Sequence, residues 1–218
     1  MNLSNVKINF LGDSITGGGC ASAGNGYVEV IARETSATCR NYGYGGSRIA
    51  EQQNPEADDS LGTDFCSRAL RMDSDADIVV VFGGTNDFGH GNADFGVMTD
   101  RTPKTFYGAL HTLYLSLIEK YLGKTIVIVT PLHCMEEDSR CGRKHLKAEG
   151  SRTLKEYVYA IKEVAEYYSL PVLDLYATSA IQPNVPVLFD YYTADGLHPN
   201  DRGHKVIAEK IIKFLELL

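Results

Sequence analysis

No part of the sequence is suited to crossing a membrane. Its apolar runs are all far shorter than the ~20 residues that a spanning helix needs. The N-terminus lacks the basic segment and long apolar core that mark a signal peptide, although a leader removed from the mature chain would leave no trace. We therefore expect a protein that is not inserted into a membrane.

The chain also has fewer basic than acidic residues. The chain has 21 Lys and Arg residues against 28 Asp and Glu residues, so its net charge at neutral pH is −7. Proteins that bind nucleic acid depend on a basic surface. The charge balance therefore argues against a nucleic-acid partner.

Tryptophan is absent, and the chain has only five cysteines. An odd, scattered set of five cysteines does not resemble a disulfide framework and predicts a reduced, cytoplasmic protein. The apolar share of 44% and the charged share of 22% are ordinary for a globular chain. They exclude intrinsic disorder, collagen and a charged coiled coil.

What the sequence does contain is an alternation of short β-branched runs with amphipathic helical segments. The length of 218 residues suits one domain over residues 1–218. Such alternation predicts an α/β fold with three layers, in which helices cover both faces of a parallel sheet. The predicted strands are residues 6–11, 38–42, 76–82, 124–130 and 171–175, and the main predicted helices are residues 27–35, 104–121, 154–168 and the segment after residue 200.

Polar, glycine-rich segments follow the first three predicted strands. They are residues 12–16, 45–47 and 83–87, and a fourth polar segment, residues 195–200, precedes the last helix. Functional sites of open α/β sheets form beyond the carboxyl ends of the strands. We therefore expect the four segments to converge at one edge of the sheet.

These segments contain the parts of a serine nucleophile. Ser14 is expected at a strand-to-helix turn, His198 is a candidate base, and Asp195 lies three residues before it, where it can orient the imidazole. Donors for an oxyanion are also present: the Asn86 side-chain amide, the Gly46 N–H and the Ser14 N–H. The chain order of the candidate triad is Ser, Asp, His.

The motifs GDSITGG, NYGYGGS, GGTND and DGLHPN occur in that order between residues 12 and 200. This set closely resembles the SGNH hydrolase superfamily, the GDSL esterases and lipases. The resemblance implies that Ser14 is the nucleophile, His198 the base and Asp195 its partner, with Ser14, Gly46 and Asn86 forming the oxyanion hole. It also implies a flavodoxin-like sheet of strand order 2-1-3-4-5. Ile15 stands where the commonest motif has Leu, a conservative departure.

Other polar residues have both a structural and a functional interpretation. Ser14 could simply cap a helix, and Asp13 and Asp87 are expected to brace their loops rather than react. His90 follows Asn86 by four residues and is the candidate for a weak substrate-binding role, against the alternative of a surface histidine.

A cluster of the form H-C-x6-C-x3-H, from His133 to His145, raises the possibility of zinc. Its spacing matches no common zinc site, so we predict no metal and no cofactor. His204 in the last helix is expected to be exposed.

The resulting prediction is a serine esterase for a small-molecule substrate. The loops 88–103 and 132–145 are polar and lack the broad apolar wall of a long-chain lipase. They favour short acyl groups, such as acetyl, on a carbohydrate or another polar alcohol, with sugar rings resting on Phe or Tyr faces. The alternatives are a lysophospholipase or thioesterase with the same triad, a catalytically silent binding module, and a flavin-binding protein of the same topology.

Overall fold

The computed structural model describes residues 1–53 and 63–218. Within them, all four neighbouring strand pairs are parallel, and the order across the sheet is β2-β1-β3-β4-β5. The α/β class and the strand order are therefore confirmed. The strands are β1 (Lys7–Gly12), β2 (Thr38–Gly43), β3 (Ile78–Phe82), β4 (Thr125–Val129) and β5 (Val172–Leu173).

The helices connect these strands and cover the sheet. None of those in residues 1–53 and 63–218 is long and apolar enough to cross a membrane. A short 3₁₀ turn, Arg143–His145, lies between β4 and the next helix. The α-helices are α1 (Tyr27–Thr35), α2 (Phe65–Ala69), α3 (Thr85–Gly89), α4 (Phe106–Lys120), α5 (Leu154–Tyr167), α6 (Leu175–Thr178), α7 (Pro186–Tyr192) and α8 (Asp201–Leu217).

The two faces of the sheet bury separate sets of apolar side chains, because successive strand residues point to opposite sides. In β1, Ile8 and Phe10 pack in one cluster with side chains of α1 and α8. Leu11 belongs to a second cluster, with side chains of α2, α4 and α5. All five residues of β3 are buried, as expected for a strand covered on both faces.

Register brings three strand ends to the same level. Gly12, the last residue of β1, pairs with Gly43 of β2 and with Phe82 of β3. The segments that follow these strands therefore start side by side. This is the edge of the sheet at which the sequence predicted a site.

Local structure differs from expectation in two polar segments. Residues 83–87, expected to be a loop, contain the first turn of α3, which begins at Thr85. The helix expected to start beside Ser14 is absent, and residues 13–20 form successive turns instead. Gly18 (φ 83°) and Cys20 (φ 65°) adopt left-handed conformations there, which a right-handed helix cannot contain.

The last strand is shorter than residues 171–175. β5 has two residues, because the Asp174 side chain accepts a hydrogen bond from Ala177 N and caps α6. The sequence pattern did not indicate helix α7 either, which begins with Pro186 at its first position.

One partly buried cation ties the ends of β1 and β2 together. The Arg68 guanidinium donates hydrogen bonds to Gly12 O (2.9 Å), to Tyr42 O (2.5 Å), to Ser47 Oγ (2.8 Å) and, through Nε, to Thr63 O (2.8 Å). Desolvation lowers the pKa of Arg68 to about 10, so the group is still a cation at neutral pH. The guanidinium thus adds a charged donor to backbone carbonyls at both strand ends, where Gly12 O also accepts from Tyr44 N at 3.1 Å.

We expect Arg68→Gln to lower the free energy of unfolding by about 2–4 kcal/mol, because several acceptors would lose a charged donor. Urea denaturation of the wild type and the variant measures this. Arg71→Gln, an exposed position just after α2, is the matched control and should change stability by less than about 0.5 kcal/mol. Equal stability of all three proteins would contradict the role given to Arg68.

Candidate functional site

Ser14, His198 and Asp195 form a continuous hydrogen-bonded chain. Ser14 Oγ lies 3.0 Å from His198 Nε2, although the two residues are 184 positions apart. His198 Nδ1 lies 2.8 Å from Asp195 Oδ2. Since a carboxylate accepts, Nδ1 is the protonated ring nitrogen and Nε2 is free to accept from the serine hydroxyl.

The turn after β1 fixes Ser14. Gly19 N donates to Ser14 O at 2.7 Å, and Asp13 Oδ1 accepts from Ile15 N at 2.9 Å. A Cβ at Gly19 would lie 2.9 Å from Ser14 O and 3.3 Å from His198 Cδ2. The absence of a side chain at position 19 is therefore what lets the turn approach the imidazole.

The loop before α8 fixes both other members of the chain. Asp195 Oδ1 accepts hydrogen bonds from Leu197 N (2.9 Å) and His198 N (2.7 Å). Partial burial raises the pKa of Asp195, but the hydrogen bonds from His198 and Leu197 outweigh it and hold the pKa below its ordinary value. Asn200, the N-cap of α8, accepts from Arg202 N and Gly203 N and anchors the far end of the loop.

Three N–H donors lie near the serine. The backbone N–H groups of Ser14 and Gly46 have no acceptor within residues 1–53 and 63–218. Gly46 has a φ of 74°, a left-handed conformation that favours glycine. Asn86 Nδ2 donates one hydrogen bond to Ser47 O (3.1 Å), and Asn86 Oδ1 accepts one from His90 Nε2 (3.2 Å). These two bonds fix the orientation of the side-chain amide.

These groups surround one cavity of about 300 Å³. Ser14, Gly46, Asn86, His90 and His198, all singled out from the sequence, line it, whereas Asp195 lies behind the imidazole. The described part of its lining contains no acidic residue. The remaining lining residues are Thr85, Gly89, Arg143, Lys144, Leu146 and Leu197, which sequence reasoning missed.

A second cavity, of about 440 Å³, shares His90 and Leu146 with the first. Half of its fourteen described lining residues are polar or charged, and Phe95 and Tyr157 form aromatic walls. The polar side chains include Asn92, Asp94, Ser151 and Arg152. The two cavities therefore adjoin at His90 and Leu146, and the larger one offers polar side chains and aromatic rings beside the space at Ser14.

The aromatic residues of the loop 88–103 are less available than expected. Phe88 is fully buried and belongs to the core. Phe95 borders the second cavity, but its ring packs at 4.9 Å from Tyr157 and 5.9 Å from Phe106. Phe88 therefore offers no ring face to a sugar, whereas Phe95 borders the second cavity.

His204, expected to be exposed, is fully buried. Tyr27 N donates to its Nδ1 (3.2 Å), and its Nε2 donates to Gly19 O (3.1 Å). Burial lowers the pKa of His204, so the ring is neutral and links α1, α8 and the turn that carries Ser14. The signal was available, because position 204 shares the i+3 and i+4 spacing of Ile207 and Ala208 on the apolar face of α8.

Two buried carboxyl groups lie under the site. Burial raises the pKa of both Asp13 and Asp87 to about 6. Asp87 accepts hydrogen bonds from Ile49 N (2.9 Å) and Ala50 N (3.0 Å), as expected for a residue that braces its loop. Asp13 braces the turn through Ile15 N.

The residues of the H-C-x6-C-x3-H pattern, from His133 to His145, do not converge as a group of metal ligands in the described part of the chain. His133 contacts the Glu137 carboxylate at 2.7 Å, and every cysteine is free. In the described part of the chain, the one group of three convergent ligands is Cys20, Asp195 and His198, whose ligand atoms lie within 4.8 Å of one another. A metal there would compete with the Asp195–His198 hydrogen bond.

Asp13→Asn should alter how stability depends on pH. A carboxyl group with a pKa of about 6 in the folded state and 3.8 otherwise stabilises the fold below pH 4, and this contribution is lost as the pH rises through 6. The wild type should therefore lose about 3 kcal/mol relative to Asp13→Asn between pH 4 and pH 7. Urea denaturation across this range measures the difference, with the exposed Asp190→Asn as control, and a constant difference would contradict the prediction.

Solved structures of several proteins share the fold of this chain. A protein from Lactobacillus plantarum is 28% identical over 98% of this chain and 97% of its own, with a TM-score of 0.83. A lipase/acylhydrolase from Enterococcus faecalis is 24% identical over 96% and 95%, with a TM-score of 0.64. A carbohydrate acetylesterase family member from Sinorhizobium meliloti is 15% identical over 97% and 98%, also with a TM-score of 0.64.

No curated protein sequence matches the chain. The model of the GDSL-like lipase/acylhydrolase family, however, matches residues 10–206, which include all four motifs and the whole candidate triad. This match agrees with the resemblance that the four motifs indicate. The chain belongs to the GDSL-like lipase/acylhydrolase family, a family of hydrolases.

Proposed function

We propose that the protein is a serine esterase that acts through an acyl-enzyme. The observation that carries the proposal is the contact of 3.0 Å between Ser14 Oγ and His198 Nε2, beside a cavity bordered by N–H donors without acceptors in the described chain. A hydroxyl in contact with a neutral imidazole nitrogen is what a serine nucleophile requires.

In the first half of the proposed reaction, Ser14 Oγ attacks the ester carbonyl and His198 Nε2 takes the hydroxyl proton. Asp195 stabilises the imidazolium through Nδ1. The N–H groups of Ser14 and Gly46 and the Asn86 amide donate to the oxyanion. The tetrahedral intermediate then collapses, and His198 gives its proton to the leaving alcohol.

The second half repeats these roles with water. His198 Nε2 removes a proton from a water molecule, which attacks the acyl carbonyl. Collapse of the second tetrahedral intermediate returns the proton to Ser14 Oγ and releases the acid. The proposed steps use only water and residues of this chain.

The size and polarity of the two cavities support a short acyl group on a polar alcohol. The cavity of about 300 Å³ offers two aliphatic side chains, Leu146 and Leu197, in its described lining. A long acyl chain needs a more extensive apolar wall. The neighbouring cavity, with Asn92, Asp94 and Ser151 beside the Phe95 ring, suits a hydroxyl-rich alcohol such as a carbohydrate. One structural neighbour is a carbohydrate acetylesterase family member, but at 15% identity that likeness concerns the fold.

Removal of the nucleophile or the base should abolish hydrolysis. We expect Ser14→Ala and His198→Ala each to lower kcat/KM for 4-nitrophenyl acetate by about 10⁴-fold or more, because triad members act as a unit. Asp195→Asn should be severely impaired too. A fluorophosphonate probe should label the wild type at Ser14 and leave Ser14→Ala unlabelled.

Ser116→Ala, on α4 and outside both cavities, is the matched control and should retain wild-type activity. Thermal denaturation tests whether each variant is folded. Full activity in a folded Ser14→Ala protein would exclude the mechanism, and absence of labelling and hydrolysis in the wild type would favour a silent binding module.

The acyl preference follows from the small cavity. For 4-nitrophenyl acetate, butyrate, octanoate and palmitate, kcat/KM should be highest for the acetyl and butyryl esters and fall steeply beyond them. Acetate release from acetylated oligosaccharides tests the alcohol side. Rates that rise toward palmitate, with no acetate released, would favour the lysophospholipase alternative.

A further inference from the structure

The loop between β4 and α5 contains a concentration of positive charge in an acidic protein. Residues 140–147 include four cationic side chains and no acidic one, whereas the whole chain has a net charge of −7. Two of the four have partners. Arg140 contacts Glu156 at 3.7 Å, and Lys147 Nζ donates to Asp87 O (2.8 Å) and to the Tyr157 hydroxyl (2.8 Å).

The other two cations, Arg143 and Lys144, line the cavity at Ser14. Neither side chain makes a hydrogen bond or ion pair with any described residue, and Arg143 Nε is buried without an acceptor. Its aliphatic part runs along α3, where a Cβ at Gly89 would lie 3.8 Å from Arg143 Cγ and Cδ. The described cavity lining offers no carboxylate to neutralise these charges.

The backbone that carries the two cations is held in an unusual conformation. Gly142 (φ 67°), Lys144 (φ 51°) and His145 (φ 55°) are all left-handed, which costs free energy for residues other than glycine. Lys147 N donates to Cys141 O at 2.7 Å and Lys144 N to Glu136 Oε2 at 2.6 Å, and both bonds hold the loop in place. Glu136 thus meets the Lys144 backbone and does not line the cavity.

We propose that Arg143, assisted by Lys144, binds an anionic group of the substrate, a carboxylate or a phosphate, while Ser14 attacks the ester. The inference deepens the proposed esterase function and rests on it. A guanidinium binds such groups with two parallel hydrogen bonds, and an anion would supply the acceptor that Arg143 Nε lacks. The anionic group lies either on the acyl part or on the alcohol.

Two pairs of esters distinguish these positions. Mono-4-nitrophenyl glutarate and its methyl ester differ by one negative charge on the acyl side. Likewise, 4-acetoxybenzoate and methyl 4-acetoxybenzoate differ by one charge on the alcohol side. For each pair, the quantity measured is the kcat/KM of the anionic ester divided by that of the neutral ester, which is then compared between variants so that intrinsic reactivity cancels.

In at least one pair, Arg143→Gln should lower this ratio by about 10- to 30-fold, or about 1.4–2 kcal/mol. Lys144→Gln should lower it less, and Arg143→Lys should restore part of it. Arg140→Gln removes the same charge from the same loop outside the cavity, and its ratio should stay within about twofold of the wild type. A ratio that Arg143→Gln leaves unchanged in both pairs would overturn the inference and leave the esterase proposal intact.

A binding experiment separates the two proposals in the other direction. The amide analogues, 4-acetamidobenzoate and the mono-4-nitroanilide of glutarate, are titrated into Ser14→Ala by calorimetry beside their methyl esters. One of the anionic ligands should bind at least tenfold more tightly than its methyl ester, and Arg143→Gln should abolish that preference. If Ser14→Ala binds neither anion in preference to its methyl ester, the inference is overturned. If Ser14→Ala shows the preference but the wild type hydrolyses no ester, the result counts against the esterase proposal alone.

Discussion

The arrangement around Ser14 depends on the Arg68 guanidinium, which holds two loop origins together. The carbonyls of Gly12 and Tyr42 lie at the ends of β1 and β2, and Arg68 contacts both, together with Ser47 Oγ. Ser14 follows the first of these strands and Gly46 the second. A cation with several donors in fixed directions can bridge two strand ends in a way that apolar packing cannot, because packing does not specify direction. The contacts of Arg68 with the two strand ends thus help to set the distance between Ser14 and the Gly46 N–H.

Buried charge under the site is balanced across short distances. Burial raises the pKa of Asp13, the hydrogen bond from Ile15 N and the charges of His198 and Arg68 oppose that rise, and repulsion from the buried Asp87 adds a smaller contribution to it. Burial likewise raises the pKa of Asp87, and the hydrogen bonds from Ala50 N and Ile49 N, together with the charge of Lys147, oppose that rise. The imidazole proposed to gain and lose a proton during each turnover therefore lies in the field of a carboxyl group that is itself held in place by a backbone N–H. Asp13 and Asp87 therefore both hold the loops in place through backbone hydrogen bonds and contribute to the electrostatics of the site.

Sequence patterns predicted the elements with strong periodicity and missed those that depend on distant contacts. The apolar run of β3 and the helix α1 were recognised because burial imposes their composition, and the four motifs identified Ser14, Gly46, Asn86, Asp195 and His198, which the structure brings to one edge of the sheet. The first turn of α3 was taken for a loop because GGTND has no apolar period. Arg143 could not be found, since its place against Gly89 depends on how a non-periodic loop folds over another segment.

Gly19 and Gly46, both at this edge of the sheet, restrict mutation for different reasons. At Gly19 a methyl group would collide with a carbonyl oxygen at 2.9 Å, so every substitution meets the same obstacle whatever its backbone preference. At Gly46 a methyl group would meet nothing within 4 Å, and the restriction comes only from a φ of 74°. Asn and Asp adopt that conformation more readily than other residues. In a family of sequence variants, position 19 would therefore be invariant, whereas position 46 would admit a small polar side chain at the rim of the cavity and offer a route by which its shape could diverge.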